Sequence, residues 1–472
     1  MSDSRRAAPG AAFFAWPGRN GDGRRHIPQA LEQRCAAVVW ESEDFAWDSR
    51  WNVPNAPVPG LRAQAGLLAH EFHGRPSDSM WVCGVTGTNG KTSCTQWLAH
   101  LLALKDTKAA VIGTLGSGFP GDLAEIPNTT PDALELHRLL AEMKRAGAAA
   151  VAMEVSSHGL DQGRVNGVAF DCALFTNLTQ DHLDYHGSMA AYAAAKARLF
   201  EVPGLQTAVL NLDDAFGVQL AQRLAARGVH TIGYCLSGAP IEVSEFIVAR
   251  SIDAHRVNIQ STWGEASVRI PQLGRFNVAN ALGVLGCLVA KGVPFAEGAN
   301  LLEQLPPVPG RMQKIAEGPG RPLVVVDYAH TPDALDKVLA ALRPVAEARG
   351  GRLVAVFGAG GGRDSAKRPL MGLAASRRAD QVMLTSDNPR DEDPHAIIDA
   401  VRSGVAAKFA ANCTIEPDRA KAIAAAIGGA AAADVILIAG KGHERVQEIA
   451  GQRLPFSDAD LADAALARRE KQ

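Results

Sequence analysis

Short apolar runs alternate with alanine- and leucine-rich segments along most of this chain, and that alternation narrows what it can fold into. The runs cover residues 81–85, 109–112, 149–153, 173–175, 208–210, 323–326, 353–357, 381–384 and 435–438. Each is followed by Gly, Asn or Asp and then by a helix-forming segment. This strand–loop–helix rhythm predicts parallel α/β sheets. Such sheets bind ligands beyond the carboxyl ends of their strands. The residues that carry chemistry are expected there.

Two breaks divide the rhythm. Residues 72–78 are polar and turn-rich, and residues 306–310 form a proline segment that helices and central strands cannot cross. The expected domains are therefore 1–75, 76–308 and 309–472. The length of 472 residues supports three domains at roughly 150 residues each. The predicted class is α/β: a small N-terminal α/β domain, a central phosphate-loop domain with a parallel sheet, and a C-terminal Rossmann-like domain. The apolar stretch 422–439 is broken by Gly428, Gly429 and Asp434, so it reads as a helix, a turn and a buried strand, not a membrane span.

Charge excludes some partners. Lys and Arg number 48 and Asp and Glu 50, a net charge of −2. That balance argues against bulk nucleic-acid or membrane-surface binding. Neither a nucleic-acid partner nor membrane insertion is expected. The seven cysteines form no Cys-x-x-Cys pair, and their odd number speaks against a secreted disulfide framework. The first residues lack the basic and apolar regions of a signal peptide. A cytoplasmic monomer is expected.

The most specific motif follows the run at 81–85. It reads Thr86-Gly87-Thr88-Asn89-Gly90-Lys91-Thr92 and opens a helix expected over 93–104. Glycines at 87 and 90 let backbone amides approach phosphate oxygens. Lys91 is placed to reach the β- and γ-phosphates of ATP, and the Thr92 hydroxyl to ligate Mg²⁺. Val85 stands where the strict pattern has glycine, so the loop is a variant. The competing reading is an ordinary glycine-rich turn.

The segment 86–92 resembles the ATP loop of the Mur ligases and the related folylpolyglutamate synthetases, which form amides through acyl phosphates. That resemblance implies roles for further residues. Glu154 and His182, taken to lie at strand ends, match the Glu and His that hold metal. Lys196, in the helical stretch 192–200, matches the lysine that these ligases carbamoylate to N6-carboxylysine, a metal-holding carboxylate. The implied catalytic set is Lys91, Glu154, His182 and Lys196. The ATP set is Gly87, Thr88, Asn89, Gly90, Lys91, Thr92, Asn280, Arg311 and Asp327, with Arg311 reaching the γ-phosphate from the third domain. Asn128, Thr129, Thr130, Ser156, Gln162 and Arg164 match segments that grip a UDP-muramoyl peptide. For Asn128–Pro131 the competing reading is a helix N-cap.

The N-terminus, with Ser4 in Asp-Ser-Arg, resembles the uridine-binding first domain of one branch of the family. Members usually carry a longer lead before that triplet, so a trimmed first domain or a misassigned start is expected here. Ser386-Asp387-Asn388-Pro389-Arg390 resembles the motif of the branch that adds meso-diaminopimelate. A fixed arginine fork binds the distal carboxylate of that amino acid and repels the bare ammonium of lysine. Arg363, Asp387, Asn388, Pro389, Arg390, Gly440 and Glu444 are the implied amino-acid contacts, and Glu444 would accept from the distal ammonium. The implied reaction joins meso-2,6-diaminopimelate to the D-Glu γ-carboxylate of UDP-N-acetylmuramoyl-L-Ala-D-Glu, with ATP and Mg²⁺. A lysine-adding or folate-extending ligase is the second reading, and a nucleotide-gated binding protein without ligase chemistry is the third.

Overall fold

The computed structural model describes residues 1–472 except 19–20, 237, 239–242, 254–255, 317, 319, 363 and 470–472. Every apolar run predicted as a strand is one. Leu353–Phe357 and Gln381–Leu384 match residue for residue, and the others extend by one or two residues or shift their first residue by one. Apart from Gln381–Leu384, which is half buried, these runs are fully or largely buried because the sheets carry helices on both faces.

The described residues hold sheets in three successive segments. Ala12–Ala15, Ala37–Glu41 and Asn55–Val58 make a small parallel sheet, joined to the next segment by the helix Leu61–Phe72. The central sheet has eleven strands. Its parallel core runs Glu245–Asp253, His230–Cys235, Thr207–Asn211, Cys172–Phe175, Trp81–Thr86, Ala150–Glu154 and Ala109–Gly113. The C-terminal sheet has six strands, parallel except for the edge strand Gln313–Ile315. In both large sheets the strand order reverses near the middle, and the conspicuous loops lie at that carboxyl end, where an open α/β sheet forms a crevice.

The expected parallel sheets are present, with antiparallel additions at their edges. The central sheet is extended by antiparallel strands on both sides: Arg256–Ser261 and Gly264–Arg269 at one edge, Gly116–Phe119 and Asp122–Ala124 at the other. Arg256–Ser261 alternates exposed and buried residues, the pattern of a strand with one wet face. Such strands have only one face to bury, so they sit at edges.

The core lies between the central sheet and its helices. Arg275–Ala290 is buried over most of its length, packed against Cys83, Cys172, Leu174 and Val209 of the sheet. There Cys83 and Cys172 face each other on paired strands, and their sulfurs lie 3.8 and 4.0 Å from the Cys287 sulfur. All seven cysteines are free. Among the described residues, no helix is long and apolar enough to cross a membrane.

Candidate functional site

The strand Trp81–Thr86 passes through residues 87–90 into the helix Lys91–Ala103, which begins two residues earlier than the sequence pattern suggested. Gly87 has φ +147° and Gly90 +88°, and a Cβ on Gly87 would stand 1.9 Å from Thr176 Oγ1. Only glycine fits, and the first helical amides stay open at the positive end of the helix dipole. The following strand's loop holds this turn. Asn177 O accepts from Thr88 N at 2.8 Å, and Asn177 Oδ1 from Asn89 N at 3.0 Å. Lys91 Nζ folds back onto the carbonyls of Gly87 (2.8 Å) and Thr88 (2.9 Å). Burial holds its pKa below the usual lysine value.

Residues from two sheets complete the cleft. Asn280 comes from the buried helix Arg275–Ala290. Asp327 ends the strand Leu323–Asp327 and accepts from the amides of Met312 (2.7 Å) and Ala329 (2.8 Å), while burial raises its carboxyl pKa. Arg311 lies past the proline segment, yet its Nη2 donates to Thr92 Oγ1 at 3.1 Å, and its guanidinium lies 4.4 Å from the centre of the Tyr328 ring.

Oxygen donors gather beside Thr92. Glu154, 1% exposed, accepts from Thr92 Oγ1 (3.1 Å), Thr114 N (2.8 Å) and Thr114 Oγ1 (3.1 Å). A buried carboxylate and two hydroxyls are hard ligands suited to Mg²⁺, beside a cradle of glycines that a Cβ would fill. Glu154 is the last residue of its strand. His182 is not at a strand end: it lies beyond the strand Cys172–Phe175, caps the short helix Leu183–His186 with φ +53°, and keeps its side chain 43% exposed. The intervening loop folds back over Thr88, whose hydroxyl accepts from Thr179 N at 3.0 Å. Both Glu154 and His182 line this cleft. Lys196 lies behind it, 1% exposed, with Nζ donating to Gly87 O at 2.8 Å and 4.4 Å from the Tyr192 ring centre. Burial, and Lys91 next to it, hold its pKa well below the usual value.

A second cleft adjoins the first. It is lined by Asn128 and Thr129 on the central side and by Asn388, Arg390, Glu444 and Glu448 on the C-terminal side. Thr114, Thr129 and Tyr328 line both clefts. Thr130 is buried and donates to Glu154 O at 2.9 Å, and Ser156 caps the helix Ser157–Asp161. Arg164 donates to Thr130 O at 2.7 Å and to Gln162 Oε1. The cap of the helix Ala133–Arg145 is Asp132, not Asn128–Pro131. Ser4 lines neither cleft; it is buried, with Oγ donating to Gln29 Oε1 at 2.7 Å.

On the C-terminal side, Arg390 adopts φ +54°. Its Nε donates to Glu448 Oε2 at 3.1 Å and its Nη1 to Gly361 O at 2.5 Å. Asn388 Nδ2 donates to Glu444 Oε2 at 2.9 Å. Asp387 is buried against Gly440, where a Cβ would meet Asp387 Oδ2 at 2.3 Å. Pro389 O packs against Gly361. Arg363 lies outside the described residues.

Residues 85–288 match the model of the Mur ligase middle domain, and residues 310–442 that of the Mur ligase, glutamate ligase domain. Over 466 residues the chain is 50% identical to the UDP-N-acetylmuramoyl-L-alanyl-D-glutamate–2,6-diaminopimelate ligase of Chromobacterium violaceum, covering 98% of this chain and 93% of that one. The chain belongs to the Mur ligases. The same enzyme of Pseudomonas aeruginosa is 50% identical over 472 residues, covering 99% and 94%. A solved structure of a ligase of that name superimposes with a TM-score of 0.69 at 36% identity, over 100% of this chain and 94% of that one. MurF of Acinetobacter baumannii shares the fold, with a TM-score of 0.65 at 20% identity over 93% and 89%.

Sequence reasoning missed Thr114, Asn177 and Glu448, which this Mur ligase brings to its clefts, and Lys441, buried behind Glu444. None of the four carried a local signal.

Proposed function

We propose that this Mur ligase adds meso-2,6-diaminopimelate to the D-Glu γ-carboxylate of UDP-N-acetylmuramoyl-L-Ala-D-Glu, with ATP converted to ADP and phosphate. The observation that carries this reading is the shared wall of the two clefts. Thr114, Thr129 and Tyr328 face both the phosphate loop and the cleft of Asn388, Arg390 and Glu444. A carboxylate at that wall lies between a phosphoryl donor and an attacking amine, and holding the reactants together supplies much of such a rate. Two relatives at 50% identity are diaminopimelate ligases by name, which supports the same reading.

A carboxylate is a poor acyl donor because its oxide is a poor leaving group. Phosphorylation of the γ-carboxylate by ATP gives an acyl phosphate and ADP. The amine of diaminopimelate attacks the acyl carbon, phosphate leaves, and the amine's proton goes to solvent or phosphate. Lys91 and Arg311 offset the charge of the transferring phosphoryl group. Thr92, Glu154, His182 and a carbamoylated Lys196 would hold Mg²⁺, which supplies further screening of that charge when bound. Asn280 and Asp327 bind the nucleotide, and Arg164, Gln162, Ser156, Thr130 and Asn128 the muramoyl dipeptide. Ser4 belongs to a uridine-binding unit. Arg390 and Asp387 to Pro389 recognise the distal carboxylate, Arg363 is a second arginine for the amino acid, and Gly440 and Glu444 contact its distal end, with Glu444 accepting from the ammonium. The units are 1–75, 76–308 and 309–472, in a cytoplasmic monomer.

A phosphate-release assay with ATP, the muramoyl dipeptide and either diaminopimelate or L-lysine tests the proposal. Phosphate release dependent on diaminopimelate is expected. Release with lysine alone assigns the lysine-adding activity instead, and no substrate-dependent release rules out the ligase.

A further inference from the structure

Lys441 is fully buried, and the roles above do not use it. It follows Gly440 in the loop after the strand Val435–Ala439, and its side chain is 0% exposed. An isolated buried ammonium is costly, so its partners report what it is for. Its Nζ donates to Glu444 Oε2 at 2.7 Å and to Asn388 Oδ1 at 2.8 Å. Asn388 closes the triangle by donating Nδ2 to the same Glu444 Oε2 at 2.9 Å. The other side of Asn388 Oδ1 takes Glu448 N at 3.0 Å. Two loops from different strands are therefore joined through one ammonium. All the bonds to Glu444 fall on Oε2. Glu444 keeps 29% of its side chain exposed and lines the second cleft.

We infer that Lys441 is a positioning residue that sets amino-acid specificity: it locks Glu444 by one carboxylate oxygen so that the other faces the cleft as an acceptor for a substrate ammonium. This rests on the proposed diaminopimelate reading of the same cleft. The lock fixes the carboxylate rotamer, so ordering Glu444 is not part of binding. Asn388 gains its orientation from the same ammonium, because Lys441 can only donate and so fixes Oδ1 towards itself and Nδ2 towards Glu444.

The test compares two amino acids, diaminopimelate and 2-aminopimelate, which keeps the distal carboxylate but lacks the distal ammonium. The enzyme and the variants Lys441→Met and Lys441→Gln are assayed by phosphate release with ATP and the muramoyl dipeptide saturating. Lys441→Met is expected to raise KM for diaminopimelate about tenfold or more, the scale of a lost hydrogen bond to a charged group. KM for 2-aminopimelate and for ATP should move about twofold at most, an allowance for indirect effects of the substitution, and Lys441→Gln should recover part of the loss. Glu444→Gln should produce the same selective rise, and Lys441→Met/Glu444→Gln no further rise. An equal rise for both amino acids, or no rise, overturns the inference, since loosening of the loop alone does not distinguish them. If the unmodified enzyme does not use diaminopimelate at all, the functional reading fails instead. A thermal melt of each variant separates misfolding from loss of specificity. If Lys441→Met does not fold, the ratio of the two KM values in Lys441→Gln decides the matter.

Discussion

Removing the Arg419 guanidinium should destabilise the C-terminal unit and loosen both loops of the cleft lined by Asn388, Arg390 and Glu444. Arg419 and Asp458 are 0% exposed. Nε and Nη2 donate to the Asp458 carboxylate at 2.8 and 2.7 Å. The same guanidinium donates to Ser386 O at 3.3 Å and Ala439 O at 2.9 Å, the residues just before Asp387 and Gly440. Arg419→Met leaves a buried carboxylate and two buried carbonyls without these donors. Breaking one side of a buried ion pair costs about 3–5 kcal/mol. For a unit of this size each kcal/mol moves Tm by about 2–4 °C, so the melt of the C-terminal unit should fall by roughly 6–20 °C. Arg419→Met/Asp458→Leu removes both charges and should recover most of that loss, because a well-packed apolar pair replaces a buried ion pair at little net cost. Calorimetry on the three proteins makes the measurement. A shift under about 2 °C for the single variant would be less than 1 kcal/mol by the same conversion and would refute the assigned role. So would a double variant less stable than the single one.

Three further outcomes are expected. Arg390→Ala raises KM for diaminopimelate with little change in KM for ATP, and an unchanged KM for diaminopimelate in steady-state kinetics removes the carboxylate fork. Lys196→Ala loses activity that added short carboxylates partly restore; full activity without them removes its catalytic role. His137 donates from Nε2 to Asn166 O at 2.9 Å, its Nδ1 has no hydrogen-bond partner, and burial lowers its pKa from 6.5 to about 4. The unfolded chain therefore binds the proton more readily, so this contribution to stability is complete above pH 6.5 and is lost as pH falls towards 4. His137→Gln should flatten the denaturation-derived slope in that window by about 1.4 kcal/mol per pH unit, and an unchanged slope overturns the assignment.

The strands of both large sheets were legible because their signal is local. A buried parallel strand is a short apolar run, and the glycine or aspartate after it marks the turn. The same locality made the Thr86–Thr92 and Ser386–Arg390 loops stand out. His182 was misplaced for a related reason. The residues between it and Phe175 contain no glycine to mark a turn, and the chain reverses through left-handed backbone at His182 itself. Thr114 could not be found from sequence, because its link to Glu154 crosses between neighbouring strands, Ala109–Gly113 and Ala150–Glu154. Asp132, not Asn128–Pro131 of the competing reading, caps the helix because its carboxylate accepts from both Leu134 N and Glu135 N. The alternation in Arg256–Ser261 was present in the sequence but falls outside the strand–loop–helix rhythm.

A net charge of −2 conceals a local conflict that bears on the proposed chemistry of Lys196. Both Lys91 and Lys196 donate Nζ to the one carbonyl oxygen of Gly87, each at 2.8 Å. Two buried ammonium groups cannot share that oxygen without strong repulsion. Lys91 has Glu154 as its main electrostatic support and also holds Thr88 O. At Lys196 the repulsion from Lys91 exceeds the support from Asp181, so it is the group placed to give up its proton. A neutral amine is the form that adds to CO₂, forming an N–C bond and releasing a proton to leave a carbamate. That anion beside Lys91 converts the repulsion into attraction. The pairing that makes Lys196 costly to bury as an ammonium is therefore the physical reason to expect it as a carboxylate.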